Sequence, residues 1–356
     1  MRAPRHHRRR PALLAALGAG ALVLSACAAP TAAGPASSTA PTVPAAAPTT
    51  ASPTPSPTPT DGIPAGASPL SGRPGGADKP VLVVKFDNTP NAQPHVGLTA
   101  ADVVYVEEVE FGLTRIAAVF STTLPRVVGP IRSARISDID LLAQYGRPAF
   151  AYSGAQQRMR PVLAAASIYD VSGDLGPSGY YRDHRRPAPY NFFGRPAALL
   201  ARAPHASVAP DIGFRFSVDA PAGGRPVKSA TVPYPSSQAA FVWNANLGSF
   251  DVRLNRRPAR AAEGGTQHAS TVVIQYVRQH DSGYGDKFGG KTPKEETIGT
   301  GKGWVLRDGR AYPVTWSRPT ATRGTTFTGG DGQVVPFAPG QIWVVLVTNV
   351  TKAALA

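Results

Sequence analysis

The sequence predicts two folded domains: an N-terminal α/β domain with a mixed sheet, then a smaller, mainly β domain. Three observations carry that prediction. Between residues 81 and 171 short apolar runs alternate with helix-start signals, the pattern of strands interleaved with helices. From residue 241 onward, strand-like runs succeed one another at turn dipeptides, without helical periodicity of useful length. About 296 residues remain once a leader and a polar tether are set aside, too many for one ordinary core and comfortable for two.

In the first half, residues 81–86 are a continuous apolar run broken only by Lys85, which predicts a buried strand. Residues 103–109 and 113–121, rich in Val, Tyr, Ile and Phe, predict two more, with Phe111-Gly112 between them at hairpin spacing. Gly129-Pro130 punctuates the chain. Ser137-Asp138-Ile139-Asp140 then reads as a helix start, with Ser137 as N-cap, two carboxylates in the first turn and Ile136, Ile139 and Ala143 as the apolar face. A strand at 148–152, a helix over 156–166 and a strand at 168–171 complete the alternation. The Gly- and Pro-rich stretch 210–225 marks a boundary, placing the two domains at 66–215 and 225–352. In the second half, residues 241–244, 250–254, 271–278, 303–307, 312–316 and 342–347 read as strands. Asp308-Gly309 and Asp331-Gly332 are the turns, Lys294-Glu295-Glu296 a short helical turn, and Trp243, Trp304, Trp316 and Trp343 core.

The first ten residues hold five Arg, and an apolar run at 12–24 ends in Leu24-Ser25-Ala26-Cys27. That is the n-region and h-region of a secretory signal, too short for the roughly 20 residues that span a bilayer. Its last four residues resemble a bacterial lipobox. Residues 1–27 are therefore expected to be a lipoprotein signal peptide, cleaved before Cys27, whose sulfur is diacylated with palmitate-like chains. Each buried methylene of such chains adds about 0.8 kcal/mol of membrane affinity. Residues 28–60 contain ten Ala, nine Pro, eight Thr and four Ser with no charge, so they cannot bury a core, and 28–65 is expected to be a disordered tether. In extended polyproline II at about 3.1 Å per residue it would reach roughly 100 Å. The expected address is the extracytoplasmic face of a bacterial cell membrane, lipid-anchored.

Lys and Arg number 37 against 22 Asp and Glu, a formal charge of +15, and the asymmetry lies downstream: residues 61–224 carry 16 basic and 14 acidic side chains, residues 225–356 carry 16 and 8. A basic surface outside the cytoplasm meets anionic lipid headgroups, peptidoglycan or anionic wall polymers, not nucleic acid. The composition excludes a collagen, an acidic disordered tail and a polytopic membrane protein. One Cys excludes an intrachain disulfide, and the scattered His residues lack metal-site spacing. No cofactor is implied: Gly299-Thr300-Gly301-Lys302-Gly303 lacks the phosphate-loop spacing and precedes a strand, not a helix.

The densest polar cluster comprises Asp87-Asn88, Glu107-Glu108, Glu110 and Arg115, at the predicted strand ends, where open sheets form ligand crevices. Side-chain alternation puts Glu108 and Glu110 on one face and Glu107 on the other. Carboxylates about 5 to 9 Å apart serve glycoside cleavage, which makes Asp87, Glu108 and Glu110 the catalytic candidates; a solvated strand face shows the same residues. Gly129-Pro130-Ile131-Arg132-Ser133-Ala134-Arg135 sets two guanidiniums three residues apart beside a helix start. Arg captures carboxylate or phosphate bidentately, so Arg132 and Arg135 suggest an anion pocket, or else bridges to Asp87, Glu108 or Asp138. A third cluster, residues 180–193, mixes rings with charge and suits sugar or peptide recognition, or a loop that covers the sheet with its own aromatics.

These motifs resemble those of the YerB-like lipoproteins, the family called domain of unknown function 3048. The resemblance runs from Pro69-Leu70-Ser71-Gly72 to about Asn349. It is carried by Phe86-Asp87-Asn88, Ala101-Asp102-Val103-Val104-Tyr105 with residues 107–110, Thr114-Arg115, residues 129–135, Arg182-Asp183 through Arg186, and Pro189 to Asn191. Residues 299–303, Thr315-Trp316 and Gly340-Gln341-Ile342-Trp343 are similar to that family's C-terminal domain. Where the family has Pro-His-Asn this chain has Pro189-Tyr190-Asn191, so no imidazole acts there. The resemblance implies a two-domain envelope lipoprotein and no particular reaction. The preferred expectation is a tethered binding module that captures an anionic wall-derived ligand through Arg115, Arg132, Arg135 and Arg186, oriented by Asp87, Asn88 and Asn191. The alternatives are an envelope glycan hydrolase acting through paired carboxylates, and a protein-assembly scaffold with no ligand pocket.

Overall fold

The computed structural model describes residues 62–286 and 288–356. The leader, Cys27 and nearly all of the tether lie outside the described residues.

The first half contributes β1 (Leu82–Asp87), β2 (Val103–Glu108), β3 (Thr114–Phe120), α1 (Ser137–Leu142), β4 (Ala149–Ala151), α2 (Arg160–Ala165), β5 (Tyr169–Asp170), β6 (Tyr180–Arg182), β7 (Phe192–Gly194) and α3 (Pro196–Ala201). The second contributes β8 (Arg225–Pro226), β9 (Ser229–Pro233), β10 (Gln238–Asn244), β11 (Ser249–Leu254), β12 (Arg257–Pro258), β13 (His268–Ala269), β14 (Thr271–Gly285), β15 (Lys291–Glu296), β16 (Gly299–Arg307), β17 (Arg310–Arg318), β18 (Thr326–Thr328), β19 (Ile342–Thr348) and β20 (Ala354–Leu355). The predicted strands are present. The helices are reduced to three of six residues each, so the first half is β-rich rather than α/β.

The largest sheet is mixed and has twelve strands, in the order β18-β17-β16-β14-β19-β2-β3-β1-β4-β5, with β15 and β8 attached. It passes through both halves of the sequence. β19 enters between β14 and β2 and is parallel to both, with Val344 opposite Tyr105 and Val345 opposite Val106. The boundary legible at 210–225 is therefore a change of chain rhythm across which one sheet is continuous. A six-stranded antiparallel sheet, β12-β11-β10-β9-β20 with β13, lies over one face. There Leu82, Val84, Val104, Val106, Ile274 and Val345 meet Val232, Phe241, Phe250 and Val252 in one apolar cluster. Val83, Val103, Tyr105, Val273 and Val344 point to the opposite face, which is covered by Leu141, Leu142, Tyr145, Phe214 and Phe337. A strand buried on both faces has no polar side, which is why residues 81–86 read as an apolar run broken only by Lys85.

Three local expectations are corrected. Ser137 does not cap α1: it sits inside the helix and its Oγ accepts the backbone N–H of Glu295 at 3.1 Å. Residues 294–296 are not a helical turn but the end of strand β15, paired with β14. Glu110 does not share a strand face with Glu108, because β2 ends at Glu108 and Glu110 opens a 3₁₀ turn. Asp308-Gly309 joins β16 to β17 with both residues at positive φ, 51° and 65°, the geometry of the tightest hairpins. Of the four tryptophans, Trp316 and Trp343 are buried, whereas Trp243 and Trp304 are only partly covered.

Candidate functional site

The polar residues gather where β1, β2 and β3 end. β3 lies between the other two, so Arg115 stands opposite Asp87 on one side and opposite Glu107 on the other. Period-two alternation then puts Lys85, Asp87, Glu107 and Arg115 on one face, beneath α1 and the 130–135 segment. That segment is fixed to the edge of the sheet by backbone bonds: Asp87 N–H to the Pro130 carbonyl, Arg132 N–H to the Lys85 carbonyl and Ser153 N–H to the Arg132 carbonyl, each 2.9 Å.

Two charge clusters result. In the first, the Lys85 ammonium is fully buried and lies 2.7 Å from Glu107 Oε2 and 2.8 Å from Asp138 Oδ1. Glu295, from the second half of the chain, is buried beside them. One cation faces three carboxyls, so they cannot all ionise at an ordinary pKa. Burial lowers the Lys85 pKa, but Asp138 and Glu107 outweigh it and hold the ammonium above its usual value. Burial and the Asp138 charge push Glu107 up to about 7 despite Lys85. Burial and the Glu107 charge push Glu295 well above the carboxylate range. Glu107 Oε1 and Glu295 Oε2 have no hydrogen-bond partner.

The second cluster holds three guanidiniums and two carboxylates. Arg132 Nε is 2.6 Å from Asp87 Oδ2, and Arg115 Nη1 is 3.9 Å from Asp87 Oδ1, which also accepts the Thr89 N–H and hydroxyl at 2.7 and 2.6 Å. Arg135 donates from Nε and Nη2 to Glu110 Oε2, at 3.0 and 2.6 Å, and from Nη1 to the Ala134 carbonyl. Glu110 also accepts from Thr292, on β15. Burial raises the Asp87 and Glu110 pKa values, yet Arg115 at Asp87 and Arg135 at Glu110 hold both below the usual range. Arg115 is lowered by burial and by its neighbours Arg135 and Arg132, against the pull of Asp87. Its Nε is buried without a partner. Arg132 keeps 28% of its side chain exposed, and its two terminal amines have no partner among the described residues.

The remaining sequence candidates are engaged by other partners. Arg186 donates to the Ala92 and Pro94 carbonyls at 3.1 and 2.6 Å and sits over the Phe193 ring, bracing the 90–94 loop. Asn191 Oδ1 accepts from Arg182, and Asn88 donates to Thr114 Oγ1 at 2.8 Å. Glu108 is half-buried and accepts from Gln279 at 3.1 Å. The rings of the 180–193 segment engage one another: Tyr180 stacks on Phe192 at 4.9 Å and Tyr181 on Phe193 at 5.8 Å, with Arg202, Arg182 and Arg195 over them. Sequence reasoning missed Lys85, Glu295 and His95 as members of this region, and named Asp138 only as a bridge for Arg132 or Arg135. A lysine inside an apolar strand was the available signal for the first. His95 is fully buried, and its Nε2 is 2.7 Å from the Asp87 carbonyl. A carbonyl only accepts, so Nε2 carries the hydrogen and Nδ1 is left without a partner; burial lowers the imidazole pKa.

Fold and site together define a class: a two-layer β protein whose large mixed sheet is completed by strands from both halves of the chain and carries an arginine-rich, charge-filled edge. Residues 70–209 match the family described as "Protein of unknown function (DUF3048) N-terminal domain", and residues 230–344 match its C-terminal domain. The chain belongs to this family. It is 22% identical over 286 residues to "Putative lipoprotein YerB" of Bacillus subtilis (strain 168), a match that covers 78% of this chain and 84% of that protein. The crystal structure of the YerB protein from Bacillus subtilis has the same fold, with a TM-score of 0.70 at 20% identity, over 82% of this chain and 99% of that one. The expected family is thus shown, by both of its domains.

Proposed function

We propose that the chain is an extracytoplasmic lipoprotein, anchored through Cys27, whose arginine edge captures an anionic group of the cell envelope. In this reading residues 1–27 are the leader, 28–65 the tether, and 66–215 and 225–352 the two folded segments. The name of the Bacillus subtilis relative supports the anchor. Among the described residues, no helix is long and apolar enough to cross a membrane.

The observation that carries the binding reading is the charge count at the edge. Three guanidiniums face two carboxylates, Arg115 Nε is unpartnered, and the free fork of Arg132 reaches solvent. A planar fork with two free amines suits a carboxylate or phosphate, such as those of peptidoglycan peptides and wall polymers. Arg135, with all three of its nitrogens engaged, positions Glu110 rather than ligand. Glycan hydrolysis through paired carboxylates is less well supported, because Asp87 and Glu110 are each held below the usual carboxylate range by an arginine, and Glu108, whose pKa burial raises, is engaged by Gln279.

The test is sedimentation of the purified chain with purified wall material. Arg132→Gln is expected to cut the bound fraction about tenfold and flatten its salt dependence, while Arg186→Gln leaves binding intact. Equal binding by wild type and Arg132→Gln overturns the reading.

A further inference from the structure

A second concavity lies where the turn after β2 meets the β14–β15 hairpin, next to Glu110. It encloses about 320 Å³ and is lined by Glu108, Phe111, Gln279, His280, Asp281 and Lys291, with Val109, Gly112 and Pro293 completing the wall. That volume is at the small end of ligand sites. Phe111 is 54% exposed. It is also one of five non-glycine residues with positive φ among the described residues, at 61°. An aromatic residue in the left-handed region is strained, and a large ring left half in solvent recovers little of that strain by burial. A Cβ at Gly290 would meet the ring at 2.6 Å, so the hairpin backbone comes up against one side of it.

We propose that this concavity is a carbohydrate subsite, in which a sugar ring of a glycan chain stacks on Phe111 while Glu108, Asp281 and the Gln279 side chain take its hydroxyl and amide hydrogens. The lining is rich in acceptors and its one lysine is already engaged, since Lys291 Nζ lies 2.8 Å from Asp281. Such a wall attracts an uncharged, donor-rich ligand and repels the anion that suits the arginine edge. Glu108 is held in place by Gln279 at 3.1 Å, and its backbone N–H is fixed by Glu295 at 3.0 Å. The β14–β15 register shifts between Asp281 and Gly285, and a strand irregularity of this kind re-aims side chains beside a site. Burial raises the Glu108 pKa, while the Lys291 hydrogen bond lowers that of Asp281, so the two carboxyls on one wall differ in proton affinity.

The test is a nuclear magnetic resonance titration of the full chain with a β-1,4-linked N-acetylglucosamine tetramer. Saturable shifts around Phe111 and Gln279 are expected. Phe111→Gly suits the left-handed backbone, keeps the fold, and is expected to weaken binding at least tenfold; Phe111→Tyr retains it. Gln279→Ala gives a second readout, with an expected loss of about threefold or more. Arg132→Gln leaves the sugar titration unchanged, so failure of the arginine-edge reading and failure of this one are distinguishable. Absence of saturable shifts, or equal affinity in the folded Phe111→Gly variant, overturns the proposal.

Discussion

The Glu295 carboxylate, on β15, accepts the backbone N–H of Glu108, at the end of β2 and 187 residues earlier, at 3.0 Å. With Ser137 Oγ accepting the Glu295 N–H in return, this exchange closes the second half of the chain onto the first. It also seats a carboxyl beside Glu107 and Lys85 in the dry interior, where removing ions from water costs several kcal/mol each unless they are paired.

Stability is therefore expected to fall as pH rises through neutrality. Glu107 and Glu295 ionise in the usual carboxylate range when unfolded, whereas in the fold Glu107 is pushed up to about 7 and Glu295 well above the carboxylate range. Between those limits the folded chain holds more protons, so their contribution is complete at acid pH and is lost as pH climbs. His95 acts in the opposite sense, since its folded pKa is lowered and its contribution is lost below about 6.5. Glu295→Gln isolates the carboxyl. It should raise the melting temperature at pH 8 more than at pH 5, by roughly 2–4 °C for each kcal/mol removed. Equal shifts at both pH values would show that Glu295 does not titrate in the fold.

Removing the lone cation has the reverse effect. Lys85→Met leaves Glu107, Asp138 and Glu295 without a counter-charge, and loss of one partner of a buried pair costs about 3–5 kcal/mol. Chemical denaturation should show that loss growing as pH rises, whereas a packing defect alone would be independent of pH.

The Arg135–Glu110 pair allows a double-mutant cycle. Arg135→Met strands a mostly buried carboxylate and is expected to cost about 3 kcal/mol. Adding Glu110→Leu should restore most of it, because two apolar groups replace two satisfied charges. Additive losses would contradict the coupling.

Gly97 initiates a 3₁₀ turn at φ 75°, and a Cβ there would press on the Val127 carbonyl, backbone that cannot swing aside. Gly97→Ala should cost at least about 2 kcal/mol in urea denaturation. A loss below a few tenths would mean that the turn is free to move.

Much of the strand order of the first half was legible, because a strand buried on both faces must be apolar throughout: residues 81–86 and 103–106 allow no other reading. The helices were not. Ser137 with two following carboxylates satisfies the rules for a helix start, yet α1 stops after six residues, and Ser137 and Asp138 are recruited by Glu295 and Lys85 instead. Residues 291–296 carry no alternating apolar pattern; they are a strand because the Thr292 and Lys294 side chains meet Glu110 and Asp140 and the Glu295 backbone N–H meets Ser137. Of the site, the sequence singled out Asp87, Glu110, Arg115, Arg132 and Arg135, which do come together. It also grouped Arg186 and Asn191 with them; in the fold Arg186 is engaged by the Ala92 and Pro94 carbonyls and Asn191 by Arg182.

By itself the sequence determined the apolar strands, the tight hairpin at Asp308-Gly309, the charge asymmetry between the halves and the arginine segment at 130–135, since each depends on neighbours within a few residues. Tertiary structure alone decided that β19 would complete the sheet of the first half, that Lys85 would face three carboxyls, and that Phe111 would stand exposed above Gly290. Those outcomes depend on residues from tens to more than two hundred positions apart, and the energy of a buried charge or an exposed ring is set by what packs against it, which no local pattern records.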